Sequence, residues 1–214
     1  EIIKVVKEKL VAKYLKGSSI KNYSKRAKKF KPRIKARLRK NKQIIGKNIG
    51  NFFDWIKGAE LVELKECNTK EDPVRPELDN TFRRSYGRKI FGVKYKSEIH
   101  AIMCFAYTNE IPKSVEELDI MSQDAYLQST LRGQNVGKIA IAYTVWSKKK
   151  GGGKLIVKEV FNKIKTSNHL NRLVTLSPLT DMAYKFHIKN GAKLISVNET
   201  TQNFEYKVIK SKRY

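Results

Sequence analysis

Hydrophobic residues in the second half of the chain follow patterns that predict strands and helices in a fixed order. Residues 138–147 are apolar at both odd and even positions, so we expect a strand in the middle of a sheet, covered on both faces. The two expected faces are Ile139, Ile141, Tyr143 and Val145 on one side and Ala140, Ala142, Thr144 and Trp146 on the other. Lysines and glycines follow at 148–153, and residues 154–165 then repeat apolar positions at helical spacing.

The remaining patterns predict further elements on both sides of this stretch. Residues 180–190 are expected to form a helix, with Thr180 as its N-cap and Gly191 as the glycine that ends it. Residues 89–95 and 99–108 are expected to form a hairpin. Further strands are expected at 61–67, 172–176, 193–197 and 203–208, and further helices at 78–84, 114–118 and 122–131.

These elements predict two regions. Residues 1–58 form a basic helical arm and connector, and residues 59–214 form an α/β (α+β) domain with a mixed sheet of about six strands flanked by helices. Phe52, Phe53 and Trp55 fall in the connector. We expect these aromatic residues to anchor the arm to the domain rather than to stack on bases.

Positive charge is concentrated in the first fifty residues. The chain has 46 Lys and Arg against 20 Asp and Glu, and residues 1–50 hold 18 basic residues against two glutamates. Such an arm is suited to a polyanion, either RNA, DNA or an acidic protein surface, although a solvated basic helix is the simpler alternative. We find no zinc pattern or groove-reading motif, so binding would be independent of sequence. The candidate contacts are Lys25, Arg26, Lys28, Lys29, Arg33, Arg37, Arg39 and Lys40.

Composition also bears on location and on metal chemistry. No apolar run reaches the length of a membrane span. Cys67 and Cys104 stand alone in the sequence, which indicates free thiols in a reducing compartment and no metal site. We therefore expect a protein of the cytoplasm, or of a virion or ribonucleoprotein particle, that is not secreted and that belongs to a larger assembly.

The glycine turn is a candidate phosphate site. Successive glycines leave backbone N–H groups uncovered, and the following helix directs the positive end of its dipole to the same point. A solvated loop is the simpler interpretation of a lysine-glycine run. The candidate residues are Lys148, Lys149, Lys150, Gly151, Gly152, Gly153 and Lys154.

Two motifs together resemble the GNAT-fold acyl-CoA N-acyltransferases. The turn is similar to their (Arg/Gln)-x-x-Gly-x-(Gly/Ala) pattern, with Lys148 where the family prefers Arg or Gln. The later helix is similar to their Ala-x-x-Phe-(Tyr)-x-x-x-Gly-(Phe/Ala) pattern, through Ala183, Phe186, His187, Gly191 and Ala192. The resemblance implies acetyl-CoA or another acyl-CoA as ligand, with its diphosphate at the turn and its pantetheine along the backbone of Tyr143 and Val145.

Two segments near the end of the chain resemble one branch of that superfamily more closely. Residues 175–178 (TLSP) and 186–192 (FHIKNGA) resemble segments of the malonyl-CoA decarboxylases, and the whole resemblance covers about residues 138–208. It implies that Ser177 and His187 are the catalytic residues. Many acetyltransferases have a tyrosine as the acid where His187 stands, and 138–147 lacks the Glu or Asp base often found there. Acyl transfer, decarboxylation and a non-catalytic structural role in an assembly therefore stay open.

Overall fold

The computed structural model describes residues 36, 39–41, 54–133 and 137–208. From Trp55 onward these residues form a single sheet with helices on both faces. Short 3-10 turns occupy Thr69–Glu71 and Ser85–Gly87. Residues 54–58 are helical. From Glu60 onward the strands and helices are β1 (Glu60–Leu64), α1 (Asn80–Arg84), β2 (Lys89–Tyr95), β3 (Glu98–Thr108), α2 (Val115–Arg132), β4 (Ile139–Ser147), α3 (Gly152–Thr166), β5 (Arg172–Pro178), α4 (Asp181–Lys189), β6 (Lys193–Val197) and β7 (Thr201–Tyr206).

The sheet has the order β1-β2-β3-β4-β5-β7-β6. Only β4 and β5 pair in parallel among these seven strands, because α3 carries the chain back across the sheet between them. The other neighbours are antiparallel. The expected mixed sheet with flanking helices is confirmed, with seven strands rather than about six.

Two apolar layers cover the sheet. On the first, here called the α3 face, Ile156 and Val160 of α3 pack with Phe105 and Trp55. On the second, here called the α1/α2 face, Leu118 of α2 packs with the other side of the strands. Trp55 is fully buried in this layer, whereas Phe52 and Phe53 lie outside the described residues, so anchoring of the arm stays a prediction. Burial on both sides explains why the central strands carry apolar residues on both of their faces.

The expected alternation of faces along β4 is wrong beyond Tyr143. Thr144 pairs with Cys104 of β3 and Ala142 pairs with Phe105, so Tyr143 is an extra residue in a β-bulge. A bulge reverses the side on which the following residues lie. Trp146 therefore packs on the α1/α2 face together with Ile139, Ile141 and Tyr143, and Val145 packs on the α3 face.

The helices differ from expectation at one place. Residues 114–118 and 122–131 belong to one continuous helix, α2, because no glycine or proline interrupts 115–132. Helix α4 begins as predicted, with the Thr180 side chain accepting a hydrogen bond from the Ala183 N–H at 3.3 Å. Gly191 has a φ of +90°, the left-handed conformation expected of a C-terminal glycine.

The charged arm falls almost entirely outside the described residues. Of the candidate polyanion contacts, Arg39 and Lys40 are described; both are helical and exposed. The others are not described: Lys25, Arg26, Lys28, Lys29, Arg33 and Arg37. Across the ranges that are described, no helix has both the length and the apolar character to cross a membrane.

Candidate functional site

The sheet opens between β4 and β5. Within the described chain these strands pair over Ile139–Ala142 of β4 and share no pair beyond Thr175 of β5. Past that point β4 continues beside β3 as far as Ser147, and β5 continues beside β7 as far as Pro178. The C-terminal ends of the two strands therefore diverge and leave a cleft of about 280 Å³.

The cleft is walled largely by apolar side chains and contains a hydrogen-bonded cluster of polar groups. No Asp, Glu, Lys or Arg is among the described residues that line it. The apolar walls include Pro73, Val74, Met103, Val145, Val157, Leu173, Met182 and Phe186. The polar cluster comprises Thr175, Ser177, His187 and Tyr206. A ligand in the cleft therefore meets neutral groups, apart from any charge at its mouth.

The backbone of β4 faces this cleft. The Lys148 N–H donates to the His100 carbonyl of β3 at 2.9 Å. Because backbone groups alternate in direction along a strand, the N–H and C=O of Val145 point away from β3 and into the opening. The Tyr143 carbonyl is already engaged, since it accepts a hydrogen bond from Arg75 Nε at 3.0 Å. Of the two candidate β4 residues, Val145 is the one that offers its backbone to a ligand.

The glycine turn lies at the mouth of the cleft. Gly151 has a φ of +86°, which disfavours other residues, and α3 begins immediately after it. A Cβ atom on Gly152 would lie 2.9 Å from Cβ of Ser147, and one on Gly153 would lie 3.0 Å from Cε2 of Phe186. Glycine at both positions thus lets the start of α3 approach β4 and α4 closely.

Backbone N–H groups are available at this helix start. The first N–H groups of a helix have no acceptor inside it. Gly152 N–H donates to the Lys149 carbonyl at 2.9 Å, whereas those of Gly153 and Lys154 have no backbone acceptor among the described residues. Gly153 also lines the cleft. These donors and the positive end of the helix dipole meet the requirements of a diphosphate site.

The lysines of the turn differ in their surroundings. Lys148 Nζ forms an ion pair with Glu71 Oε2 at 2.6 Å, and this hydrogen bond lowers the pKa of the Glu71 carboxyl. Lys149 Nζ lies over the rings of Trp55 and Tyr95, at 5.1 and 4.9 Å from their centres. Lys150 and Lys154 are exposed. Two of the four candidate lysines are therefore engaged by neighbours from other parts of the fold.

Ser177 and His187 lie together in a chain of hydrogen bonds. Ser177 Oγ is 2.9 Å from Nε2 of His187, and Nδ1 of the same ring is 2.9 Å from the Tyr206 hydroxyl. The Ser177 hydroxyl donates to Thr175 Oγ1 at 3.0 Å, which also accepts from the Phe204 N–H. These contacts are all satisfied when Nε2 carries the imidazole proton and Tyr206 donates to Nδ1. The cleft thus contains a relay that ends at a serine.

Burial keeps the relay neutral. The His187 side chain is 3% exposed, and its ring stacks on Phe204 at 4.8 Å between centres. Burial lowers the pKa of His187 to about 4 and raises the pKa of Tyr206. At neutral pH the imidazole and the phenol are therefore both uncharged.

Acid is expected to destabilise the fold through His187. Its pKa is about 4 in the folded protein and 6.5 ordinarily, so between these values only the unfolded chain gains a proton. The neutral ring contributes its full stabilisation above pH 6.5, and the free energy of unfolding falls by about 3 kcal/mol as the pH drops towards 4. Urea unfolding of wild type and His187→Gln at several pH values in this range measures that fall. Equal losses of stability in the two proteins would contradict this assignment.

A buried ion pair lies on the α1/α2 face behind β4. Asp72 Oδ2 is 2.8 Å from Arg83 Nη2, and both side chains are fully buried. The hydroxyl of Thr144 on β4 donates to the same carboxylate at 2.8 Å. This pair holds the loop before α1, which supplies Pro73 and Val74 to the cleft wall, against the central strand.

Arg75 bridges the two strands where their pairing ends. Its Nε donates to the carbonyl of Tyr143 on β4, and its Nη2 donates to the carbonyl of Leu176 on β5 at 3.3 Å. These residues directly follow the last parallel pair, Ala142 and Thr175. The side chain therefore binds both separating strand edges at the inner end of the cleft.

The sequence patterns do not identify Tyr206, Thr175 or Arg75 as site residues. Tyr206 and Thr175 fall inside predicted strands, where they are indistinguishable from ordinary sheet positions. Arg75 lies between two prolines in a segment with no periodicity. Arginine is usually exposed, so an arginine in such a loop does not indicate a buried role in the site.

The parallel strands β4 and β5 separate after a bulge in β4, and a glycine turn and α3 connect them. This arrangement defines a GNAT-like fold. The GNAT-like decarboxylase GphF, solved in complex with isobutyryl-CoA, matches with a TM-score of 0.55 at 9% identity, over 70% of this chain and 100% of that one. The loading GNATL domain of CurA from Lyngbya majuscula matches with a TM-score of 0.50 at 12% identity, over 70% of this chain and 98% of that one. Likeness at these identities establishes the fold alone.

A malonyl-CoA decarboxylase from Agrobacterium vitis also matches, at 16% identity over 60% of this chain, with a TM-score of 0.45. This chain spans 36% of that enzyme and 33% of its counterpart from Cupriavidus metallidurans. No protein-family model and no curated protein sequence matches the chain.

Proposed function

We propose that this chain binds an acyl-CoA in the cleft between β4 and β5 and acts on its thioester. The observation that carries the proposal is the hydrogen-bonded series Ser177, His187 and Tyr206 inside a cleft whose mouth is the N-terminus of α3. The diphosphate would bind the N–H groups at Gly153 and Lys154. The pantetheine amides would pair with the backbone of Val145, and the thioester would reach Ser177.

The reaction that best suits a neutral relay is decarboxylation of a malonyl-type thioester. A carboxylate among apolar walls is poorly solvated, and loss of carbon dioxide moves its charge onto the thioester oxygen as an enolate. Neutral O–H and N–H donors then stabilise this charge where it develops. The enolate carbon takes a proton from Ser177, Ser177 regains one from Nε2 of His187, and Tyr206 donates to Nδ1. A proton from solvent then restores Tyr206, so each turnover consumes one solvent proton. Incubation with malonyl-CoA should therefore release acetyl-CoA and carbon dioxide in equal amounts.

Acyl transfer is the second candidate, and a specific distance favours it. Ser177 Oγ lies 2.9 Å from His187 Nε2, and in the tautomer that carries its proton on Nδ1 this nitrogen can act as the general base for a Ser177 nucleophile. In this reaction the acyl group moves from coenzyme A to Ser177 and then to an acceptor. Mass spectrometry after incubation with acetyl-CoA separates the two candidates, because only transfer leaves an acetyl group on Ser177.

The basic segment carries a separate proposal. Residues 1–50 hold 18 Lys and Arg against two Glu, and this excess would bind RNA, DNA or an acidic protein surface in a salt-dependent way. Such binding would place the protein in a larger assembly, including a virion or ribonucleoprotein particle. It is independent of the cleft.

Coenzyme A binding is expected to depend on charge at Gly153. Asp and Asn side chains have nearly the same size, and either would displace the Phe186 ring by a few tenths of an ångström. Only Asp brings a negative charge to the diphosphate position, so Gly153→Asp should bind coenzyme A at least about tenfold more weakly than Gly153→Asn. Isothermal titration measures both affinities.

This matched pair separates charge from shape. An acidic residue near a helix N-terminus favours the helix, so Gly153→Asp should be no less stable than Gly153→Asn in thermal unfolding. Equal affinities for coenzyme A in two folded variants would place the diphosphate elsewhere. The neighbouring Gly152 is less suitable for substitution, because its Cβ would meet Cβ of Ser147 at 2.9 Å.

A further inference from the structure

Thr175 stands at the end of the hydrogen-bonded series in the cleft. It lies two residues before Ser177 on β5, so both side chains are on the same face of the strand. Their hydroxyl oxygens are 3.0 Å apart, and Thr175 Oγ1 also accepts a hydrogen bond from the Phe204 N–H of β7 at 3.2 Å. Thr175 is 2% exposed and lines the cleft. A backbone donor therefore fixes the oxygen that faces Ser177.

The protons of this series can be arranged in two opposite orders. Its members are Thr175, Ser177, His187 and Tyr206, joined by three contacts of 2.9 to 3.0 Å. Each neutral side chain carries one N–H or O–H proton. The protons can all point towards Thr175, with Nε2 of His187 protonated, or all towards Tyr206, with Nδ1 protonated. The tautomer of His187 is thus coupled to the direction in which the Ser177 hydroxyl points.

The strengths of the donors and acceptors favour the first order. A phenol O–H is more acidic than an aliphatic hydroxyl and is the better donor, and an imidazole nitrogen is a better acceptor than a phenol oxygen. Tyr206 therefore donates to Nδ1 of His187, and Nε2 donates to Ser177. The Ser177 proton then needs another acceptor. Among the described residues that contact Ser177 Oγ, this acceptor is Thr175 Oγ1.

We propose that Thr175 is a positioning residue that keeps the His187 proton on Nε2 by accepting the hydrogen bond of Ser177. The link to catalysis rests on the proposed function, because a protonated Nε2 suits the decarboxylation, in which it returns a proton to Ser177. The opposite tautomer suits acyl transfer. Its Nε2 takes the Ser177 proton as Ser177 Oγ bonds to the thioester carbon, the C–S bond then breaks, and the departing sulfur takes that proton from Nε2. Thr175 thereby selects between the two candidate reactions.

The tautomer of His187 can be measured in the protein without a ligand. Long-range ¹H–¹⁵N correlation spectra distinguish the protonated ring nitrogen from the other one, and His187→Gln identifies which signals of the three histidines belong to His187. At neutral pH the proton should be mainly on Nε2 in wild type and in Thr175→Ser. In Thr175→Val, which keeps the β-branched shape without the hydroxyl, it should be mainly on Nδ1. Wild type protonated mainly on Nδ1, or Thr175→Val still protonated mainly on Nε2, overturns the proposal.

Reaction products test the consequence for catalysis. Thr175→Val should release carbon dioxide from malonyl-CoA at least about tenfold more slowly than wild type and should carry more acetyl group on Ser177 after incubation with acetyl-CoA, whereas Thr175→Ser should match wild type. Release at the wild-type rate by a Thr175→Val protein whose tautomer has changed overturns the selection of reaction.

The two measurements separate this proposal from the proposed function. A tautomer that changes as expected in a protein that gives neither product contradicts the proposed function and leaves the role of Thr175 in place. An unchanged tautomer in a chain whose wild type is active contradicts the role of Thr175 alone. Should Thr175→Val fail to fold, the wild-type spectrum decides the question.

Discussion

Replacing His187 by glutamine is expected to lower turnover of malonyl-CoA by about 10²- to 10⁴-fold, with little change in affinity for coenzyme A. The amide nitrogen of Gln can occupy the place of Nε2 and still donate to Ser177. It cannot pass a proton from Tyr206, because an amide does not exchange donor and acceptor as the two imidazole nitrogens do. Binding should persist, since the proposed diphosphate and pantetheine contacts are at α3 and β4. Steady-state assays of carbon dioxide release measure the turnover, and calorimetric titration with coenzyme A measures the affinity.

A second histidine provides the control for this variant. His169 is exposed at the end of α3 remote from the cleft, and its ring contacts the Ser167 hydroxyl. His169→Gln should retain wild-type turnover. If both variants keep full activity, His187 has a structural role only, and a loss of coenzyme A affinity equal to the loss of turnover would lead to the same conclusion.

Removal of the Asp72 carboxylate is expected to destabilise the fold by about 3–5 kcal/mol. The carboxylate accepts hydrogen bonds from Arg83, from Thr144, and from the backbone N–H groups of Val74 and Arg75. In Asp72→Ala the Arg83 guanidinium stays buried with no counter-charge, which costs far more than the loss of one exposed pair. Urea unfolding of both proteins gives the difference in free energy.

An exposed aspartate serves as the comparison for Asp72. Asp181 pairs with Lys185 at 3.3 Å, but both side chains are largely in solvent. Asp181→Ala should leave the free energy of unfolding almost unchanged. Similar effects of the two substitutions would mean that the Asp72–Arg83 pair is no more important than a surface contact. The double variant Asp72→Ala/Arg83→Met should recover part of the lost stability, since the unpaired charge is gone.

Local patterns predict most of the fold because each of its elements has its own signal. Thr180 and Gly191 mark the two ends of α4 by their side chain and backbone preferences, which need no tertiary contact. The run of glycines marks the start of α3 for the same reason. Ser177 and His187 are identified through a resemblance of motifs, and the structure places them within hydrogen-bonding distance.

Features set by the order of strands are not predictable in this way. Tyr206 reaches His187 because β7 lies between β5 and β6 in the sheet. The pattern of residues within one strand does not indicate which strands will be its neighbours. The bulge at Tyr143 is invisible for a related reason. Since β4 is apolar on both faces, a shift of one residue leaves its pattern unchanged. The role of Arg75 depends on the separation of β4 and β5, which no local pattern encodes.

The Arg75 bridge has a consequence for how a ligand enters. Strand edges that part in an apolar interior leave carbonyls without donors, and such edges tend to close on each other. A guanidinium bonded to Tyr143 on one edge and Leu176 on the other satisfies both carbonyls and fixes the spacing between the two edges. The proposed binding groove is thus preorganised, and a ligand would not have to separate the strands in order to enter.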